Sequence, residues 1–196
     1  MQWLPRYRYY LKREKYLFNF PSRSHIFFLA QSEKETFQKH YQIALERHSL
    51  LPPWLKRPET TERTEQQNRK HLLDPVQVHE DTPFILFVGS NFQLKGLDKA
   101  IEALTHLCHP QVHLIVCGQD DPKPFQKLAK VNQVANRIHF LGPRDDIADW
   151  MRSAACLLHP ARAEPAGMVL LEALTHLLPV VCSANCGYAS HVQEAG

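Results

Sequence analysis

The chain has 196 residues, enough for one domain of ordinary size plus further segments and enough to bury a core without disulfide staples. Apolar residues make up 44% and charged residues 22%, the balance of a soluble globular protein, which excludes a disordered, low-complexity or collagen-like chain. With 23 basic against 20 acidic residues the net charge is +3, too even for a general nucleic-acid binder, and no apolar run nears the ~18 residues of a membrane span.

Met1 to Phe20 carries seven aromatic and five basic residues against one acid, Glu14. It lacks the apolar centre and small-residue cleavage site of a secretory signal. Interleaved rings and cations suit a membrane–water interface, with rings at headgroup depth and Lys or Arg on anionic lipid. They equally suit a helix packing its rings on a neighbouring domain, and less well nucleic acid. The apolar run from His25 to Ala30 is of strand type. Ser32-Glu33-Lys34-Glu35 after it is a capping-box signature and predicts a helix to about Arg47. From Pro52-Pro53 to about Glu80 the sequence is polar and charged without a sustained apolar period. That predicts a linker or surface excursion, and with it the organisational boundary.

Beyond the boundary short apolar runs alternate with helical spacing. Phe84–Val88, Leu114–Val116, Ile138–Phe140, Cys156–Leu158 and Val180–Val181 read as buried strands. Leu97–Leu107, Phe125–Val131, Asp146–Ala154 and Met168–Leu177 read as the helices between them. Repeated strand–helix–strand units imply right-handed crossovers and a parallel sheet covered on both faces, so the prediction is a doubly wound α/β domain from about residue 81. Ligands of such sheets sit at the carboxyl ends of the strands, which makes the loops there the places to seek chemistry.

The loop Gly89-Ser90-Asn91-Phe92-Gln93-Leu94-Lys95-Gly96 follows the first of these strands. Two glycines bracket polar residues and a lysine at the mouth of a helix, an arrangement that cradles anions and that an ordinary surface turn would also produce. It is not a P-loop, and the seven glycines of the chain contain no GxGxxG dinucleotide fingerprint. Gly118-Gln119-Asp120-Asp121 and Gly142-Pro143-Arg144-Asp145-Asp146 follow later strands; they are expected to close around a nucleoside, or are plain turn chemistry.

Two glutamates frame the most informative segment. Glu172 falls in a helix that is apolar on nearly every side, where an ionised carboxylate is costly unless satisfied, so it reads as an acceptor for ligand hydroxyls or as a carboxylate bonded to nearby backbone. Glu164 lies a turn before that helix, where its charge favours the positive end, and could equally be an ordinary helix-start carboxylate. Eight residues at helical rise would separate the pair by roughly 12 Å, more than the about 5 to 9.5 Å of a glycoside-hydrolase pair. The spacing suits two contacts on one long ligand, with the free amides of Ala166, Gly167 and Met168 facing an anionic middle. A nucleotide sugar fits that description.

Metal chemistry finds little support. The five cysteines form no CxxC pair and read as reduced, mostly buried thiols. His106, His109 and His113 cluster in sequence but straddle a helix end and the next strand, without a carboxylate at ligand spacing. No Asp-x-Asp triplet is present to hold a divalent ion on a sugar diphosphate.

Glu164-x7-Glu172, with His159-Pro160 ahead of it and Lys95-Gly96 upstream, resembles the retaining GT-B glycosyltransferases of family 4, and among them the lipopolysaccharide-core type. FVGSNFQLKG, CGQDDPKPFQKLA, LHPARAEPAGMVLLEAL and CGYASHVQEAG are similar to segments of such enzymes in the same order. The resemblance covers Ser24 to Gly196 well and the first twenty residues more loosely. It implies a GT-B carboxyl-terminal, Rossmann-like donor domain at 81–196, a linker at 52–80, and a remnant of the amino-terminal acceptor domain at 1–51. It also implies that most of the acceptor domain and the last donor-domain elements are missing.

Further implications concern function. The resemblance implies transfer of a hexose, glucose from UDP-glucose, to the lipopolysaccharide core with retention of configuration and without a metal or other cofactor. Lys95 would neutralise the diphosphate, Glu164 would meet a hydroxyl of the transferred sugar, and Glu172 the ribose. Gln119 and Arg144 would lie near the base, Gly89 would bind the donor from the loop of Lys95, and Ala166, Gly167 and Met168 would offer backbone amides. Partners would be the UDP-sugar, the lipopolysaccharide acceptor and, through residues 1–20, the cytoplasmic face of the inner membrane. Two departures stand out: Leu94 occupies a position that is usually basic, and Pro52-Pro53-Trp54 replaces the family's Pro-Pro-Gly hinge. Leu94 and the missing domain favour, as an alternative, an inactive fragment or a nucleotide-sugar-binding module.

Overall fold

A computed structural model of the chain describes residues 5–19, 22–55 and 63–195, so Trp3 and Phe20 of the aromatic run and residues 56–62 of the predicted linker lie outside the described residues. The chain divides into two units, Met1–Trp54 and Leu55–Gly196.

In the first unit the basic, aromatic segment is a helix, α1 (Pro5–Phe18), with no buried residue. Two short strands, β1 (Ile26–Phe28) and β2 (His48–Leu50), pair in parallel around the helix α2 (Gln31–His40), with Ile26 opposite His48 and Phe28 opposite Leu50. The predicted helix therefore ends seven residues short of Arg47. Its amino terminus also differs: Ala30 caps α2 without a side-chain bond, and Glu33 instead accepts from the Leu29 amide at 3.3 Å. At the other end the Arg47 guanidinium donates to the carbonyls of Leu17, Asn19 and Ser24, which draws the chain out of helical geometry and into β2. Phe18 of α1 packs on Phe37 and Tyr41, with ring centres 4.9 and 5.1 Å away. The Tyr41 hydroxyl donates to Glu14, and burial together with that carboxylate pushes its phenol up to about 12.

The second unit opens on a helix, α3 (Glu65–Leu73), inside the stretch read as a linker. Thr64 and Gln67 cap it reciprocally, the Gln67 amide donating to the threonine hydroxyl and the Thr64 amide to the glutamine side chain. Leu72 and Leu73 are buried in the core. The remaining anchors are polar, which is why no apolar period announced this helix.

The sheet has the order β5-β4-β3-β6-β7 and is parallel throughout. Its strands are β3 (Phe84–Val88), β4 (His113–Cys117), β5 (Ile138–Gly142), β6 (Cys156–His159) and β7 (Val180–Cys182). The helices are α4 (Leu97–His106), α5 (Lys123–Val131), α6 (Ile147–Ser153), α7 (Met168–Thr175) and α8 (Ala189–Ala195). All five strands and the four helices expected between them lie within two residues of the predicted bounds.

Alternation along the strands fills two cores. Phe84 and Leu86 join Ile115, Leu157, Trp150 and Leu170 on one face of the sheet, while Phe87, Leu114 and Val116 join Leu97, Ile101 and Phe125 on the other. Burial on both faces is what continuous apolar strands demand. α3 is held to α6 by Asn68, whose amide donates to Asp149 O at 3.0 Å and Ser153 Oγ at 2.9 Å. The chain runs outward from β3 through β4 to β5, then crosses to β6 on the other side of β3. The order therefore reverses between β3 and β6, and the crevice beyond their carboxyl ends is where doubly wound sheets bind ligands.

Candidate functional site

The loop after β3 is tightly formed. Gly89 N–H donates to Cys117 O at 2.9 Å, Phe92 N–H to Asp120 Oδ2 at 2.7 Å, and Lys95 N–H to Asn91 O at 3.0 Å. The Phe92 ring turns inward onto Phe87 and Phe125. Gly96 closes the loop at φ +76°, and a Cβ there would stand 2.0 Å from the Pro160 carbonyl oxygen. No side chain fits, so the loops after β3 and β6 meet backbone to backbone.

That contact brings Lys95 to Glu164. The lysine Nζ bonds Glu164 Oε2, and their side chains are 19% and 12% exposed. His159, at the end of β6 and 1% exposed, places Nε2 at 3.3 Å from the same oxygen. Burial holds the His159 imidazole below its ordinary range, with Glu164 opposing that effect, and Nδ1 has no hydrogen-bond partner among the described residues. The loop bearing Glu164 is anchored on its far side: Gly187 N–H donates to Glu164 O and Tyr188 N–H to Ala166 O, both at 2.8 Å.

Glu172 is placed differently from the expectation. α7 buries Leu170, Leu171 and Ala173, whereas Met168, Glu172 and Thr175 form an exposed stripe, so Glu172 is a surface carboxylate and not a buried one. Composition hid this because apolar Met168 shares the outer face. The Glu172 carbonyl accepts from Thr175 Oγ1 at 2.7 Å and from the His176 ring at 2.8 Å, while the carboxylate faces solvent. Gly167 caps α7, and the helix's first amides have no acceptor within it, which leaves the Ala166–Met168 turn as an anion-favouring end.

A pocket of 240 Å³ opens beside the loop after β3, lined by Gly89, Ser90, Gly118, Gln119, Pro143 and Arg144 among others. Gly118 packs directly on Gly89, whose carbonyl oxygen a Cβ on Gly118 would meet at 1.9 Å. Gly89 in turn lies against the Lys95 stem. Gln119 and Arg144 are exposed at the rim, where Arg144 grips Asp146 through two bonds of 2.8 and 2.5 Å and holds that carboxyl below the usual range. At the pocket floor burial pushes the Cys117 thiol up to about 12. Among the described residues no group of three His, Cys, Asp or Glu could hold a metal ion. His113 instead stacks on His139, ring nitrogens 2.9 Å apart.

Sequence reasoning gave no role to His159 or Arg162. A buried histidine reads as core filling, and His159 entered only within the His159-Pro160 pair that carries the resemblance. Arg162 binds Asp98, Gln93 O and Leu94 O and so fastens the two loops together.

The profile of the family Glycosyl transferases group 1 matches residues 68–196. The chain belongs to that family. It is 38% identical over 193 residues to the lipopolysaccharide glucosyltransferase WaaG of Escherichia coli (strain K12), covering 97% of this chain and 52% of that protein. The crystal structure of WaaG, a glycosyltransferase involved in lipopolysaccharide biosynthesis, superposes with a TM-score of 0.88 at 36% identity over 98% of this chain and 53% of that one. The structure of Anabaena Alr3699/HepE in complex with UDP-glucose gives a TM-score of 0.74 at 23% identity over 85% of this chain and 46% of that one, a likeness of fold. The five-stranded parallel sheet is thus part of the GT-B fold of WaaG. The chain spans about half the length of the glycosyl transferases it matches.

Proposed function

We propose that this chain forms the nucleotide-sugar-binding half of a retaining hexosyltransferase that takes glucose from UDP-glucose for the lipopolysaccharide core. The observation that carries the reading is the meeting of Lys95 and Glu164 at the carboxyl ends of β3 and β6, where the strand order reverses. Family membership and the likeness to WaaG support it.

In this reading Lys95 and the first amides of α7 face the diphosphate. As the bond to the sugar breaks, negative charge grows on the leaving oxygen, and fixed donors aimed there stabilise it without a metal. The acceptor's proton passes to that diphosphate on the same face of the sugar. Glu164 accepts from a hydroxyl of the transferred sugar and Glu172 from the ribose, while Gly89, Gln119 and Arg144 border the base. Ligand-observed NMR with UDP-glucose and no added metal tests this. Saturation transfer to the nucleotide that disappears in Glu172→Ala is the expected result; a folded chain that takes up no UDP-glucose overturns it.

Leu94, at a position that resemblance leads one to expect basic, favours a second reading, a module that binds the donor without transferring it. Release of UDP from UDP-glucose by the chain in the presence of lipopolysaccharide core overturns that alternative. The chain also meets an anionic membrane surface in this proposal, because α1 exposes Tyr7, Tyr9, Tyr10, Tyr16 and Leu17 among its cations. Co-sedimentation with phosphatidylglycerol vesicles but not phosphatidylcholine vesicles is expected; equal binding to both, or to neither, refutes it.

A further inference from the structure

Two donors converge on one oxygen of Glu164. Lys95 Nζ and His159 Nε2 both reach Oε2, the imidazole from 3.3 Å. The donors are unlike. Lys95 extends from a loop on a long stem with four rotatable bonds. His159 ends β6, in register with Cys182 of β7, and is fully buried. A carboxylate only accepts, so Nε2 carries the ring proton. A neutral ring has one N–H, which makes Nδ1 the bare nitrogen, and Nδ1 is the buried atom without a partner. Glu164 is therefore held by one movable cation and one fixed, uncharged donor.

We propose that His159 is a positioning residue that keeps the Glu164 carboxylate in place for the donor sugar when an anionic ligand draws Lys95 away. The inference rests on the reading of Lys95 and Glu164 as contacts to diphosphate and sugar. Neither side chain can meet its part of the ligand while the two satisfy each other, so binding a diphosphate exchanges the Lys95–Glu164 pair for a Lys95–phosphate pair. Withdrawing one partner of a largely buried pair strands the other charge. The imidazole N–H offsets that loss. Because it occupies Oε2, it leaves Oε1 to a sugar hydroxyl.

The contact is tested first without any nucleotide. In long-range 1H–15N spectra of the unliganded chain, the His159 Nε2 proton is expected as a slowly exchanging signal that persists in Lys95→Met and vanishes in Glu164→Ala. Its loss in Lys95→Met overturns the inference. Titrations with UDP and UDP-glucose then separate positioning from mere packing. His159→Leu is expected to weaken UDP-glucose about tenfold, the worth of a hydrogen bond to a charged group, and to leave UDP within about twofold. His159→Gln, whose amide extends about as far as Nε2, restores the wild-type ratio. Adding Glu164→Ala to His159→Leu costs nothing beyond Glu164→Ala alone. Equal weakening of UDP and UDP-glucose, or an additive double variant, overturns the inference and leaves a purely structural histidine. A wild-type chain that binds neither nucleotide overturns the reading of the donor site, whereas the Lys95→Met spectrum decides the His159 contact by itself.

Discussion

The guanidinium of Arg162 grips both oxygens of Asp98, at 2.7 and 2.5 Å, and ties the loop after β6 to the first turn of α4. The same arginine donates to Gln93 O at 2.8 Å, and Asn185 reaches back to its carbonyl at 2.6 Å. The Arg162 side chain thus joins its own loop, which carries Glu164, to the Lys95 loop and α4, while its carbonyl takes the bond from Asn185.

Because Arg162 is 40% and Asp98 24% exposed, the pair contributes little to global stability. Arg162→Ala is expected to lower unfolding free energy by about 0.5–1 kcal/mol in urea titration. UDP-glucose affinity should fall further, about fivefold or more, since loosening the loops separates Lys95 from Glu164. A variant that loses stability and affinity in equal measure would contradict this division.

Glu172→Ala should leave stability within about 0.5 kcal/mol of wild type, as befits a surface side chain. Its UDP-glucose affinity should nevertheless drop at least about tenfold if the carboxylate accepts from the ribose. Circular dichroism melts beside the NMR titration separate the two effects cleanly.

Asn68 is 2% exposed and supplies the main polar link between α3 and α6. Replacing it with alanine strands Ser153 Oγ and a carbonyl, and is expected to cost about 2 kcal/mol in urea unfolding. Asn68→Leu should cost at least as much.

The His113–His139 pair makes the sheet acid-sensitive. Burial holds both imidazoles below their ordinary range; Arg137 lowers His113 further, and His113 does the same to His139. Groups with depressed histidine values add stability that is complete above the unfolded value near 6.5 and is lost as pH falls through the folded value. Unfolding free energy should therefore decline as pH falls below about 6.5. His139→Val is expected to flatten part of that decline.

Much of this arrangement is legible in the sequence, for reasons that can be named. Strands β3 to β7 are short apolar runs because both faces are covered, and the helices between them repeat at helical spacing. Lys95 and Glu164 stand out as charges in the loops that end such strands. What escapes is whatever depends on polar bonds between distant segments. α3 is fixed by Asn68 and Arg69 and has only Leu72 and Leu73 in the core. β2 exists because Arg47 finds three carbonyls that no local pattern announces. His159 looks like any core histidine until its partner Glu164 is seen, and Glu172 is misread when the composition of α7 stands in for its faces.

The backbone contact at Gly96 and Pro160 has an evolutionary consequence. Where side chains separate two loops, exchanging one residue for a slightly larger or smaller one can retune the gap in small steps. Here a peptide carbonyl stands where a Cβ on Gly96 would lie, so substitution at Gly96 offers no graded adjustment. Variation among descendants of such a chain is therefore expected at the open rim, around Gln119 and Arg144, rather than at Gly96.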